Sequence, residues 1–255
     1  LWISAYHFLD LTWLKIPWTP LALIGTAVAF VIGFQNNAAY GRIWEARKIW
    51  GGIVNTSRTF GMFIQDMVNN EHTDKDLSDE SLKQEIKILT YRHIAWMTAL
   101  RHAMRTSKPW ETARKHKTNR EWDIRPPELN STLEKDLEPY LTKEDIEYLS
   151  SKNNKQTALL YLQSHHLASL KSKGAIWEFS FLELENVLKE LFTLQGKSER
   201  IKNFPYPRQF ATLNHFFMWI FVLLLPLALI PQFVEIGQSI ADTNPIISEL
   251  FIWFT

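Results

Sequence analysis

Charge is absent from two long stretches of this chain. Residues 16–41 hold no Asp, Glu, Lys or Arg, and neither do residues 209–234. A bilayer core of about 30 Å needs about 20 helical residues, so each stretch is long enough to cross one. The first contains "PLALIGTAVAFVIGF" at 20–34, and no proline lies between Leu21 and Trp50. One helix is therefore expected to start in a membrane, leave it near Asn36 and continue in water. Its small residues, Gly25, Thr26, Ala27, Ala29 and Gly33, are expected to let neighbouring helices come close. The second stretch, "ATLNHFFMWIFVLLLPLALIPQF" at 211–233, follows "FPYPRQF" and is interrupted by Pro226 and Pro231. Trp13, Pro17, Trp18 and Pro20 suit a membrane interface, and residues 1–12 the end of an apolar helix.

The intervening pattern is helical and amphipathic. Residues 51–70 continue the first helix, and "NNEHTDKDLSDE" at 69–80 reads as a polar loop. Leu82, Ile86, Leu89, Ile94, Met97, Leu100 and Met104 fall near helical spacing, which predicts a helix over 81–106. Residues 107–155 are polar, broken at Pro126-Pro127, with short helices in "LEKDLEPYLTKEDIEYLSS". Further helices are expected over 156–171 and 178–195, with Gly196 as a stop. No strand-like alternation and no repeat is present, so the expected fold class is all-α.

Basic residues set a topology. Arg42, Arg47, Lys48 and Arg58 follow the first apolar run, and Lys197, Arg200, Lys202 and Arg208 precede the second. By the positive-inside rule both flanks face the cytoplasm. Three parts follow: membrane segments over 1–41, a cytosolic helical domain over 42–208, and membrane segments over 209–255. A net charge of +1 gives no support to nucleic-acid binding, and the absence of Cys removes disulfides and thiol chemistry. The start at Leu1 and the apolar end "PIISELFIWFT" are expected of a piece of a longer protein.

Few residues suggest chemistry. Asp74, Asp76, Ser78 and Glu85 fall at calcium-loop positions, but the glycine that the sharp turn requires is missing. His165 and His166 are adjacent on a helix, so their rings diverge by about 100° and do not share a metal. His93 and His102 read, like them, as residues of polar helix faces. His215 lies at membrane depth, with packing as its expected role. No nucleophile elbow, phosphate loop or dinucleotide motif occurs. No catalytic residue, metal or cofactor is therefore expected. Thr26, Phe30 and Phe34 share one helix face at i, i+4 and i+8. Lipid contact or helix packing is the usual origin of such a stripe. Around a symmetric axis, copies of it would form an apolar constriction of the kind that gates by dewetting.

"GFQNNAAYGRIWEARKIWGGIVNTSR" at 33–58 resembles the signature of the bestrophin family, above all its bacterial members. They read GF-x-N-x-A-x-Y-x-R, then EAR-x-x-W-G. "ERIKNFPYPRQF" and "LLLPLAL", between Glu199 and Leu229, resemble the family's second landmark. The resemblance implies a homo-pentameric ion channel with one central pore, embedded in the lipid bilayer of a bacterial inner membrane. The middle domain would be cytoplasmic and small monovalent ions would permeate. Animal members pass chloride; the bacterial likeness tilts this chain toward cations such as sodium. The implied pore neck is Thr26, Phe30 and Phe34, with Thr26 departing from the bulky apolar residue usual there. Phe179, or alternatively Ile176, is implied at a cytosolic exit constriction. Asn36, Asn37, Arg42, Trp44, Glu45 and Arg47 are implied in vestibule and subunit packing. The rival reading is a non-conducting membrane-anchored sensor or interaction protein. A transporter would call for inverted repeats, which are not seen.

Overall fold

The computed structural model describes residues 16–71, 77–109, 111, 127–205, 207–240 and 245–247. The expected helix end at 1–12, Trp13, and Asp74 and Asp76 of the calcium-loop pattern lie outside them. Seven α-helices are described: α1 Trp18–Met67, α2 Asp79–Arg105, α3 Leu133–Leu137, α4 Lys143–Ser150, α5 Lys155–Lys173, α6 Glu178–Asn203 and α7 Arg208–Ile240. A 3-10 turn, Pro127–Leu129, precedes α3. Among the described residues β pairing is confined to one antiparallel bridge, Val68 with Ile176.

Local chemistry sets most helix ends. Side-chain oxygens of Ser78, Thr132, Thr142 and Asn154 accept backbone N–H bonds three residues on, capping α2, α3, α4 and α5. The cap at Ser78 starts α2 two residues before the expected position. At the end of α5, Gly174 has φ 79°, a left-handed conformation that glycine adopts without strain. There Gly174 N–H bonds to Lys171 O at 2.9 Å and Ala175 N–H to Leu170 O at 3.0 Å.

Two expected breaks are not breaks. Helix α6 runs through Gly196 to Asn203. A glycine inside a helix costs about 1 kcal/mol, which the burial of Leu194, Gln195 and Ser198 around it offsets. The helix stops just before Phe204-Pro205, where proline restricts the residue that precedes it. Helix α7 likewise runs through Pro226 and Pro231.

The described residues form two compact units. One spans Ile43–Pro205. In it α2 packs on α3, α5 and α6, and α5 also packs on α4 and α6. Ile49, Ile53, Phe60 and Ile64 of α1 join the same core. The side-chain amide of Gln195, 1% exposed, ties three helices. It accepts from Trp96 Nε1 at 2.9 Å and donates to Thr157 Oγ1 at 2.8 Å and Glu199 Oε1 at 2.9 Å.

The other unit holds residues up to Arg42 and from 206 onward. Leu21, Val28, Leu227, Ala228 and Ile230 are buried in it. A Cβ built on Gly25 would lie 2.7 Å from Phe221 Cε2, so this glycine lets α1 and α7 come close. Gly33, expected to do the same, has open space at that position. Gln35 Oε1 accepts from Asn214 Nδ2 at 3.3 Å, a polar tie between two apolar helices.

His93 is not on a polar face. It is 7% exposed, between the rings of Phe60 at 5.0 Å and Trp96 at 5.4 Å, and neither ring nitrogen has a hydrogen-bond partner. Burial pushes its pKa down to about 4 from 6.5. Below pH 6.5 the unfolded chain takes up a proton that the folded chain refuses. The stability linked to His93 is therefore complete above about pH 6.5 and declines as pH falls toward 4, by on the order of 3 kcal/mol in all. Thermal melts of the wild type should drop in midpoint between about pH 7 and about pH 5. His93→Phe, which keeps the ring stack and removes both unpartnered nitrogens, should melt higher and flatten that pH slope.

The Gly25 contact gives a second expectation. Gly25→Val should cost about 1–3 kcal/mol by overpacking against Phe221. A double variant with Phe221→Leu should recover part of the lost melting temperature, because it vacates the clashing ring edge.

Candidate functional site

In the unit of the chain ends, Leu21 and Val28 are the buried positions of α1, seven residues apart. Ile49, Ile53, Phe60 and Ile64 are buried in the Ile43–Pro205 unit. Seven residues make nearly two turns, so Leu21 and Val28 lie only about 20° apart around the helix. At about 100° per residue, Thr26, Phe30 and Phe34 point roughly opposite Leu21 and Val28. They are exposed, Phe30 by 64% and Phe34 by 71%. The Thr26 hydroxyl donates to Ala22 O at 2.9 Å, so the apolar face of that side chain is what it presents outward.

The polar positions that follow separate by angle. Asn37 continues the Phe30–Phe34 face, whereas Asn36 is turned about 100° away from it. Both are exposed. Tyr40, Ile43 and Trp44 extend the uncovered apolar surface with 62%, 70% and 46% exposure. The Arg47 guanidinium lies 5.8 Å over the Trp44 ring, a cation–π contact. Glu45 Oε1 accepts from Arg200 on α6 at 2.6 Å, a tertiary tie that helix spacing alone does not reveal. Arg42 is half-buried.

The two exit candidates differ in their surroundings. Ile176 is 3% exposed, inside the core of the Ile43–Pro205 unit, so its side chain is not free to face a channel. Phe179 is 62% exposed in the first turn of α6 and sits 4.7 Å from the ring of Trp177.

Other polar groups form small networks. His166 is on no solvated face: its Nδ1 lies 2.9 Å from Arg92 and its Nε2 2.8 Å from Glu85. Because a guanidinium only donates, Nδ1 accepts and Nε2–H donates, which is the neutral ring. Burial pushes the His166 pKa down in agreement with that form. Burial raises Glu85, but hydrogen bonds from His166 and Lys173 outweigh it and hold the carboxyl below its usual range. His102 bonds to Asp136 at 2.7 Å, and this bond, then one from Ser131, lowers Asp136. His165 stacks on Tyr161, and His215 accepts from Trp219 Nε1 at 2.8 Å. Ser131 bonds to Asp136 and not to the histidine, so this trio does not activate a hydroxyl. Among the described residues no group of three or more His, Cys, Asp or Glu is placed to hold a metal.

Sequence reasoning missed Gln195, the Gln35–Asn214 pair, and the Glu85–His166–Arg92 chain. The available signal was polar residues at positions whose register faces other helices. Apart from Glu199, four residues from Gln195, their partners lie 38 to 179 residues away, so spacing could not pair them.

Among the described residues two helices are long and apolar enough to cross a membrane, Trp18–Met67 and Phe210–Ile240. A voltage-dependent anion channel-forming protein of Ralstonia nicotianae is 26% identical over 242 residues, covering 95% of this chain. The corresponding protein YneE of Escherichia coli is 25% identical over 239 residues, or 94%. The chain spans 66% of the length of each of these relatives. The fold is that of a bacterial bestrophin homologue from Klebsiella pneumoniae, with a TM-score of 0.68 at 20% identity over 99% of this chain and 77% of that one. A single-residue mutant of the same homologue gives a TM-score of 0.69 at 20% identity over 98% and 78%. The family described as Bacterial/Fungal Bestrophin protein matches residues 1–238, and the chain belongs to that family.

Proposed function

We propose that this chain is the subunit of a homo-oligomeric membrane ion channel, with five copies around one axis as the family likeness implies. The observation that carries this reading is the uncovered face of α1. An apolar stripe of Thr26, Phe30 and Phe34 lies opposite the covered edge, on a helix of membrane-spanning length. On a single chain such a face meets lipid, and the family likeness is what favours a ring of copies that encloses it. A ring of copies turns it into a narrow, dry neck that passes ions when wetted. Asn37 then lies where the neck meets water. Phe179 is the exit residue of this reading, since it has an open side chain. Tyr40, Ile43 and Trp44 supply apolar surface for subunit packing. Ile43–Pro205 is the cytoplasmic part, by the basic flanks.

Small monovalent ions are the cargo. The neck residues are uncharged, so charge preference arises from helix-end dipoles, aromatic edges and pore width. The relatives are named for anions, whereas the bacterial likeness in the sequence leans to cations. A reversal potential in a KCl gradient decides the sign.

Purified full-length protein in planar bilayers should carry current. Phe30→Ala and Phe34→Ala should each raise conductance, because a smaller, less apolar ring lowers the wetting barrier. A barrier change of about 1 kcal/mol moves the current about fivefold. Phe179→Ala should alter rectification or selectivity more than total current. Absence of current from folded, oligomeric wild type and variants would leave the membrane-anchored sensor as the reading.

A further inference from the structure

A crevice of about 680 Å³ opens between α2, α5 and the segment leading into α4. It lies wholly within the Ile43–Pro205 unit and shares no residue with α1, so the conduction pathway proposed above does not account for it. Its volume is that of a small-molecule site.

The charges on its wall are unequal. Lys87, Arg92 and Lys173 face Glu85 and Asp145, three cations against two anions, with both histidines on the wall outside that count. Arg92 is the least satisfied of these groups. Of its five N–H donors, one reaches His166 at 2.9 Å. Another lies 3.6 Å from Asp145, beyond hydrogen-bond length, and the buried Nε has no partner. Its side chain is only 11% exposed, where an under-bonded guanidinium is costly. Both Glu85 oxygens are engaged, one by His166 and the other by Lys173. Asp145 keeps acceptor capacity 3.6 Å from Arg92, and against it stand the unused guanidinium donors of Arg92 and the cations Lys87 and Lys173, so the balance of the wall is cationic by one charge.

The rest of the wall is not ionic. Tyr91 and Tyr140 meet edge to face at 6.0 Å, and Leu141, Leu162 and Pro139 line the same space. Such rings and aliphatic groups suit an organic body more than a bare inorganic ion. A metal cation is disfavoured by Arg92 and Lys173 beside the His166–Glu85 pair of this wall.

We propose that this crevice binds a small organic anion, its carboxylate or phosphate head against Arg92 and Lys173 and its aromatic or apolar body against Tyr140 and Leu141. The head accepts from the Arg92 nitrogen that Asp145 holds too loosely to bond. The ligand is thus a soluble metabolite-sized anion bound away from the pore.

The test uses the intact oligomer in detergent, with benzoate and phenyl phosphate as probes and benzyl alcohol as the neutral control. Ligand-observed NMR and thermal shift read binding. Saturable binding of benzoate or phenyl phosphate, without saturable binding of benzyl alcohol, is expected; whichever anion binds more tightly identifies the head group. Arg92→Gln should weaken it about tenfold and the half-exposed Lys173→Gln about threefold. If Arg92→Gln does not fold, Lys173→Gln carries the comparison, because its side chain supports no core. The proposal is overturned if neither anion saturates the wild type, if benzyl alcohol binds as well as the anions, or if binding is unchanged in the folded variants. Channel current is a separate readout, so loss of conduction leaves this result untouched.

Discussion

A helix of 50 residues can be covered on one edge and bare on the other only if its buried positions keep nearly the same azimuth throughout. In α1 they do so by recurring at sevens, with steps of four that restore the drift. Leu21 and Val28 serve the unit of the chain ends, and Ile49, Ile53, Phe60 and Ile64 serve the core of the Ile43–Pro205 unit. The conduction reading rests on the first pair: Leu21 and Val28 share one edge, which leaves Thr26, Phe30 and Phe34 together on the opposite face.

The apolar core is organised by a few buried polar ties. Gln195 joins α2, α5 and α6 through one amide. In the other unit the half-buried pair Gln35 and Asn214 makes a weaker tie between two helices. A buried amide that loses its partner costs about 1–3 kcal/mol, so each tie penalises alternative packings of the same helices. Arg92 departs from this economy, with donors left unused inside a crevice. The contrast between a satisfied Gln195 and an unsatisfied Arg92 is what separates a packing group from a candidate ligand group.

Much of the fold was legible from pattern. The two uncharged runs and the amphipathic α2 follow from side-chain type and spacing, whereas the caps at Ser78, Thr132 and Thr142 went unread. The face shared by Thr26, Phe30 and Phe34 follows from helical periodicity alone. What failed was decided by tertiary surroundings. Gly196 looks like a stop, yet the buried residues around it hold the helix together. His93 and His166 look like surface histidines, because nothing local shows that Phe60 and Trp96, or Glu85 and Arg92, will enclose them. The family likeness points to Phe179 before Ile176, and nothing local shows that Ile176 is buried while Phe179 is exposed. Glu45 has cations at helical spacing on both sides, yet its tertiary tie is to a residue 155 positions away.

The two prolines inside α7 shape how that helix bends. Each removes the N–H that would bond the carbonyl four residues back, so Val222 and Leu227 lose that donor. Pro226 and Pro231 are five residues apart, about 140° around the helix after whole turns are removed. Two equal bends so oriented would partly cancel, leaving a net turn of about two thirds of one bend instead of two. In mechanical terms a second proline at this spacing acts as a counter-bend, which straightens the heading of the helix while leaving two carbonyls without their helical donor.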